Sequence, residues 1–284
     1  VANKEEYVIY EKTLTKGLYN KLIIGIKGLV PQRQFIMSQF PTGKHIVFLD
    51  DDISKIDLSL SPQFKSHSLE YFIKYAFGAC ITNKAHIWGV YAVFNPFFRG
   101  ARKELSTELN YIVGAFYGII NRPLLKSIQL TITKATGQKE DVERTIKYFI
   151  NDGIVLRFNK IGFMTKYYGT EGGLGRFSDR LLPMKISSER LHQKYGKYGY
   201  IKVRKNGMTE FVLYKLPATH SLIENTRVVK YKLKSKSKTK SKTKSKTKSK
   251  TKSKTKSKTK SKTKSKSKTK SKTKSKSKSK TRKR

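Results

Sequence analysis

From Lys234 to Arg284 the sequence alternates lysine with serine or threonine almost without interruption, and this decides how much of the chain can fold. Residues 234–284 hold 27 of the 63 basic side chains, none of the 19 acidic ones and no apolar one. A segment with nothing to bury cannot offset the entropy of ordering itself, so a disordered tail is expected there. The fold is confined to residues 1–233, where 36 basic against 19 acidic side chains leave +17 of the chain's +44. The apolar share of that part is about 45%, a globular composition, and its length suffices for one domain with its own core.

Other broad classes are excluded more simply. The single Cys80 cannot form an internal disulfide, which points to a reducing, intracellular compartment rather than secretion. The longest apolar stretch, residues 111–120, is too short to span a bilayer as a helix and carries Gly114 and Gly118, so no membrane partner is expected. Nothing at the start resembles a signal peptide. The chain opens on Val1 rather than Met, in what reads as the interior of an open domain, so a fragment is expected.

The periodicities predict alternating helices and strands. Asn3 and Glu6 have capping-box spacing ahead of Tyr7, Tyr10 and Leu14, a first helix. Residues 22–26 form a short branched run with the look of a buried strand. Pro31 can open a helix carrying Phe35, Ile36 and Phe40, and residues 45–49 form a second apolar strand that ends in Asp50, Asp51 and Asp52. Leu69, Phe72, Ile73, Ala76, Phe77 and Cys80 fit a helix without exception. Strands are predicted at residues 87–94 and 111–120, then a helix over 140–150 with Val142, Ile146, Phe149 and Ile150 inward. Strands at 154–158 and 163–168, a Gly-rich loop at 169–175 and a helix near 187–195 follow. A hairpin closes the series around Asn206-Gly207. Together these imply an α/β fold with a mixed, mostly parallel sheet flanked by helices.

Three features carry possible chemistry, each beside a plainer explanation. Alternation along a strand would point Asp50 and Asp52 the same way, and two carboxylates on one side can hold Mg²⁺ or Mn²⁺ with positions open for phosphate oxygens. An acidic loop capping the next element is the other explanation. Lys27 and Arg33 flank a strand end and a helix start, a setting suited to a diphosphate, or they are solvated cations beside a turn. Glu140 and Asp141 open a helix, where the macrodipole alone favours carboxylates; the same placement would hold one of them rigidly as a general base. The Gly-rich loop lacks the setting of a phosphate-cradling P-loop, no His spacing points to zinc, and no nucleophile elbow is present.

The ordered motifs resemble a known group. The run from Ile23 through Lys27, Gly28, Gln32 and Arg33, a Phe/Ile helix, and the strand ending in Asp50, Asp51 and Asp52 look like GT-A nucleotide-sugar glycosyltransferases. More narrowly, they are similar to the TET-associated glycosyltransferases of fungi, phages and large DNA viruses. Trp88-Gly89-Val90-Tyr91, Asn95-Pro96-Phe97-Phe98, Glu140-Asp141 with Glu143-Arg144, and Tyr167-Tyr168 leading into Glu171-Gly172-Gly173-Leu174 extend the resemblance over most of residues 1–180.

The resemblance implies a GT-A-like domain over residues 1–233, N-terminally truncated, because the first strand and helix that contact the donor base would precede Val1. It also implies metal-dependent transfer of a sugar from a nucleotide-sugar donor, UDP-linked in the expectation, to an acceptor hydroxyl. Asp50 and Asp52 match the Asp-x-Asp pair that bridges Mn²⁺ or Mg²⁺ to the diphosphate, and Asp50 with Lys27 and Arg33 would form the donor side. Asp141 matches the position of the base in inverting members, with Glu140 as runner-up. The implied acceptor is a hydroxymethylated pyrimidine in DNA, and the expected compartment is the nucleus, the cytoplasm or a viral factory. Alternatives are a noncatalytic nucleic-acid-binding protein with a degenerate transferase-like domain, and transfer to protein or glycan.

The tail supports a DNA partner by a separate route. Extended, it would present a Lys roughly every 7 Å at about 3.5 Å per residue, a spacing suited to polyanion backbones. Such contact, running from Lys234 to the terminal Lys280, Arg282, Lys283 and Arg284, would be sequence-nonspecific and driven by counterion release. A low-complexity repeat without a role, or a localisation signal at the terminal cluster, would have the same composition.

Overall fold

The computed structural model describes residues 1, 3–165 and 176–219. Contacts divide the chain into the units Val1–Val229 and Lys230–Arg284, and every described residue lies in the first. The Gly-rich loop, the Tyr167-Tyr168 and Glu171 motif, and the tail residues Lys234, Lys280, Arg282, Lys283 and Arg284 lie outside the described residues.

The first helix, α1 (Lys4–Thr13), starts as its capping box dictates, with the Asn3 side chain accepting the Glu6 N–H at 2.7 Å. Residues 22–26, predicted as a buried strand, form none. Among the described residues their backbone ladder is to Val1 alone, through Gly25 N–H to Val1 O at 2.8 Å and the Val1 amine to Ile23 O at 3.1 Å, and Ile24 and Ile26 are exposed. A branched run satisfies the strand pattern, but strand structure also needs a neighbour, and this run finds one residue. Next come α2 (Leu29–Ser38), β1 (His45–Leu49), β2 (Ile53–Asp57) and α3 (Leu69–Thr82), the last capped by Ser68. β3 (Ile87–Tyr91), the short α4 (Pro96–Gly100), β4 (Leu105–Ser106) and β5 (Phe116–Ile120) follow. Of the predicted strand over 111–120, only the second half pairs.

The predicted helix over 140–150 is α5 (Glu140–Asp152), although Ile150 faces solvent rather than the core. The two strands predicted after it are one, β6 (Leu156–Thr165). α6 (Phe177–Tyr195) begins upstream of Pro183 and is longer than its sequence pattern implies. β7 (Gly199–Val203) and β8 (Thr209–Leu213) form the predicted hairpin around Asn206-Gly207.

Six strands form a curled mixed sheet in the order β1-β5-β3-β6-β2, with β4 also on β6. The expectation of a mostly parallel sheet is corrected here: only β3 and β6 run parallel, and the other four pairings are antiparallel. An apolar strand run reports burial but not direction, which the connections set.

The sheet has a core on each face. On one, Phe72, Ala76 and Phe77 of α3 pack on Trp88, Phe116 and Phe158. On the other, Tyr148 and Phe149 of α5 pack on Ile46, Phe48, Ile87 and Ile119. Trp88 lies directly across from Gly118, where a Cβ would fall 2.3 Å from the indole nitrogen, so that register demands glycine. Val142 and Ile146 of α5 continue into a third cluster with Leu191, Tyr195 and Phe211, which fixes α6 and the hairpin beside the start of α5.

Candidate active site

α5 starts immediately after Lys139, whose backbone is left-handed (φ 62°), and this turn brings Glu140 and Asp141 to the head of the helix with different surroundings. Glu140 is buried between two arginines. Arg33, from α2, donates Nη1 to its Oε1, and Arg144, one turn along α5, donates Nη1 to its Oε2. Arg33 Nη2 reaches the Gly114 carbonyl at 2.8 Å and Asp50 Oδ1 at 3.2 Å. A Cβ on Gly114 would lie 2.8 Å from both Arg33 Nη1 and Glu140 Oε1, so only glycine admits the pair. Both guanidiniums also sit on the Tyr117 ring, at 3.9 Å for Arg144 and 5.5 Å for Arg33. Burial alone would lower the Arg33 guanidinium, but Glu140, with Tyr117 and Asp50 behind it, holds it above its ordinary value. It is therefore a fixed cation.

Asp141 has neutral partners. Its Oδ1 accepts the Val142 N–H at 2.9 Å, and its Oδ2 accepts the hydroxyl of Tyr111. Burial, then the Asp141 charge, raises Tyr111 well above its usual range, so the phenol stays a donor. Thr145 ties the same segment to α5 by accepting the Ile112 N–H at 3.2 Å and donating to Asp141 O at 2.7 Å.

The aspartate cluster follows β1 as a turn. Asp50 N–H donates to Ala115 O at 2.9 Å and Asp50 O accepts the Ile53 N–H at 3.4 Å, so the alternation expected of Asp50 and Asp52 does not apply, because the strand has ended at Leu49. Asp50, Asp51 and Asp52 nevertheless all line one cleft of about 1370 Å³ with Arg33, Glu140 and Asp141. Asp51 and Asp52 are exposed, and Asp50 is partly buried. Burial raises the Asp50 carboxyl; Arg33 opposes the rise, and Asp52 and Glu140 add to it.

Lys27 and Arg33, grouped by sequence as one diphosphate-binding pair, are separated. Lys27 is exposed outside the cleft lining, while Arg33 lies inside α2, engaged with protein carboxylates.

The aspartate turn offers carboxylate oxygens of the kind a hard divalent ion takes, but not a full set of protein ligands. Among the described residues, no three His, Cys, Asp or Glu side chains gather to hold an ion by themselves. Mg²⁺ and Mn²⁺ are commonly held by one or two carboxylates, with substrate phosphate and water completing the shell, and Asp50 Oδ2 and the exposed Asp52 carboxylate are oxygens of that kind. Among the described residues, no helix is long and apolar enough to cross a membrane.

Several site residues are not apparent from the sequence. Arg144 carries a local signal, its i,i+4 spacing from Glu140. Tyr111 and Gly114 carry none, because they sit in an apolar run that reads as strand. Comparison of the chain with protein-family models, with curated proteins and with solved structures finds no match.

Proposed function

We propose that the chain is a metal-assisted glycosyltransferase that moves a sugar from a nucleotide-sugar donor to an acceptor hydroxyl. The acceptor class implied by the sequence resemblance is a hydroxymethylated pyrimidine in DNA. One observation carries this reading: the aspartate turn and the carboxylates at the head of α5, far apart in sequence, line the same open cleft.

Asp50 and Asp52 would hold Mn²⁺ or Mg²⁺, which when bound neutralises charge on the departing nucleoside diphosphate. Asp141 is the base. Both oxygens of Glu140 are held by guanidiniums, which leaves neither open to a substrate proton, whereas Asp141 faces the cleft with neutral partners. The acceptor oxygen forms its bond to the anomeric carbon as the bond from that carbon to the diphosphate oxygen breaks, and the acceptor proton passes to Asp141. A single displacement of this kind inverts the anomeric centre. Tyr111, Thr145 and the Arg33–Glu140–Arg144 group hold Asp141 and the head of α5 in place.

The test is calorimetry of the chain with Mn²⁺ and UDP. Asp52→Asn is expected to weaken joint binding at least tenfold, and equal binding by that variant would remove the metal assignment. The second reading, a noncatalytic nucleic-acid binder, is favoured by one contact, the Arg33 guanidinium already seated on Asp50. It predicts no joint binding of metal and nucleotide by the unaltered chain.

A further inference from the structure

The cleft has a second charged region, which the transfer chemistry above does not use. Arg102, in the loop after α4, and Arg157, on β6, both line it, and both guanidiniums lie on the ring of Tyr91, at 4.5 Å and 5.1 Å. Neither has a carboxylate partner among the described residues, although the other ion pairs of this fold are closely matched. Arg157 commits three of its five N–H groups, all to neutral oxygens: Asn159 Oδ1 at 2.8 Å, Asn110 Oδ1 at 2.9 Å and Tyr111 O at 3.3 Å. Arg102 donates only its Nε, to Phe98 O at 2.9 Å. Glu108, a carboxylate in electrostatic reach of Arg157, is paired with Lys103 at 2.6 Å. Burial, opposed by Tyr91 and reinforced by Arg102, brings the Arg157 guanidinium down to about 10, as befits a cation short of anionic neighbours.

Burial strips water from the Arg157 guanidinium and the nearby Arg102 charge opposes it, a cost that an oxyanion within reach of both lowers. Their fork geometry suits phosphate. The position is also informative: Tyr111 gives its carbonyl to Arg157 and its hydroxyl to Asp141, so Arg157 is joined to the proposed base through a single residue.

We infer that Arg102 and Arg157, stacked on Tyr91, form a phosphate-binding subsite of the cleft on the side of Asp141. This deepens the transferase reading and rests on it for the meaning of that side. The phosphate has two possible sources, a phosphodiester of a nucleic-acid acceptor or the diphosphate of the donor.

The experiment is phenylglyoxal labelling of the full chain, with modification rates at Arg102 and Arg157 read by peptide mass spectrometry and the exposed Arg190 of α6 as internal reference. The readout is local to each arginine, so binding of a probe by the lysine tail does not register. Saturating thymidine tetranucleotide or UDP is added separately. The expected result is protection of both arginines by fivefold or more, with Arg190 unchanged. Protection by the oligonucleotide alone assigns the phosphate to the acceptor, and protection by UDP assigns it to the donor. Protection by neither overturns the subsite. Arg102 is exposed, so Arg102→Ala should fold, and it should raise the probe concentration needed to protect Arg157 about tenfold, as expected for a lost charge-assisted pair. Unchanged protection in that variant also overturns the subsite. Failure of the transferase reading looks different: arginine protection would persist in a chain that neither binds Mn²⁺ with UDP nor transfers sugar.

Discussion

Glu140 and Asp141 are adjacent in sequence, yet their environments give them separable roles. Glu140 closes a buried group with Arg33 and Arg144, and removing its charge leaves two desolvated guanidiniums without their common partner. Glu140→Gln should therefore destabilise the fold by about 3 kcal/mol, within the range for breaking a buried ion pair, as read by chemical denaturation. Asp141→Asn should cost no more than about 1 kcal/mol, the scale of one helix-start contact, while sugar transfer falls by several orders of magnitude and donor binding holds. Were Asp141 only a cap, melting would fall and the rate per folded molecule would persist. Both carboxylates were legible in the sequence because charge at a helix start is a local signal. What distinguishes them was not legible, since Arg33 and Tyr111 reach them only through the tertiary fold.

At the scale of elements, patterns that depend on one segment were readable, and those that depend on a partner were not. α3 and α5 follow their apolar periodicity because a helix makes its own hydrogen bonds and needs only a face to bury. Residues 22–26 have equally good strand composition but no neighbouring strand among the described residues, and β1, apolar after His45, is an edge strand antiparallel to β5. The aspartates after β1 line one cleft but do not continue the strand as their alternation assumed, because the end of pairing is set by β5 rather than by β1 itself. A contact between elements also makes a pH prediction. Asp57, at the end of β2, meets the fully buried Arg99 of α4, which also binds Lys160 O of β6 at 2.8 Å. Burial would raise the Asp57 carboxyl, but the bonds from Arg99 and Ser59 outweigh it and hold it below its ordinary value. A lowered carboxyl stabilises the fold above its unfolded value, and that contribution is lost as pH falls through the folded one. Denaturation between pH about 5 and 2 should therefore show stability falling more steeply in the unaltered chain than in Asp57→Asn.

For the whole molecule the decisive property is the segregation of charge. Residues 234–284 carry 27 of the 63 basic groups and no acidic one, while the first 233 residues carry +17 and every candidate catalytic residue. Binding of a polyanion and chemistry in the cleft should thus come apart when the tail is removed. A chain ending at residue 233 should lose most nonspecific affinity for long duplex DNA, and its binding should depend less steeply on salt, because fewer counterions are released. Transfer to a short soluble acceptor should survive, since that substrate needs only the cleft. If DNA is the acceptor, transfer to long duplexes should drop sharply on truncation, and raising salt on the full chain should imitate the drop by screening the same charges. Some slope should remain, because +17 stays on the first 233 residues and Arg102 and Arg157 lie in the cleft. Affinity titrations and transfer assays from low to moderate salt, on the full and shortened chains in parallel, decide the matter. A shortened chain that binds and modifies long DNA as well as the full one would show that the tail takes no part in delivering the acceptor.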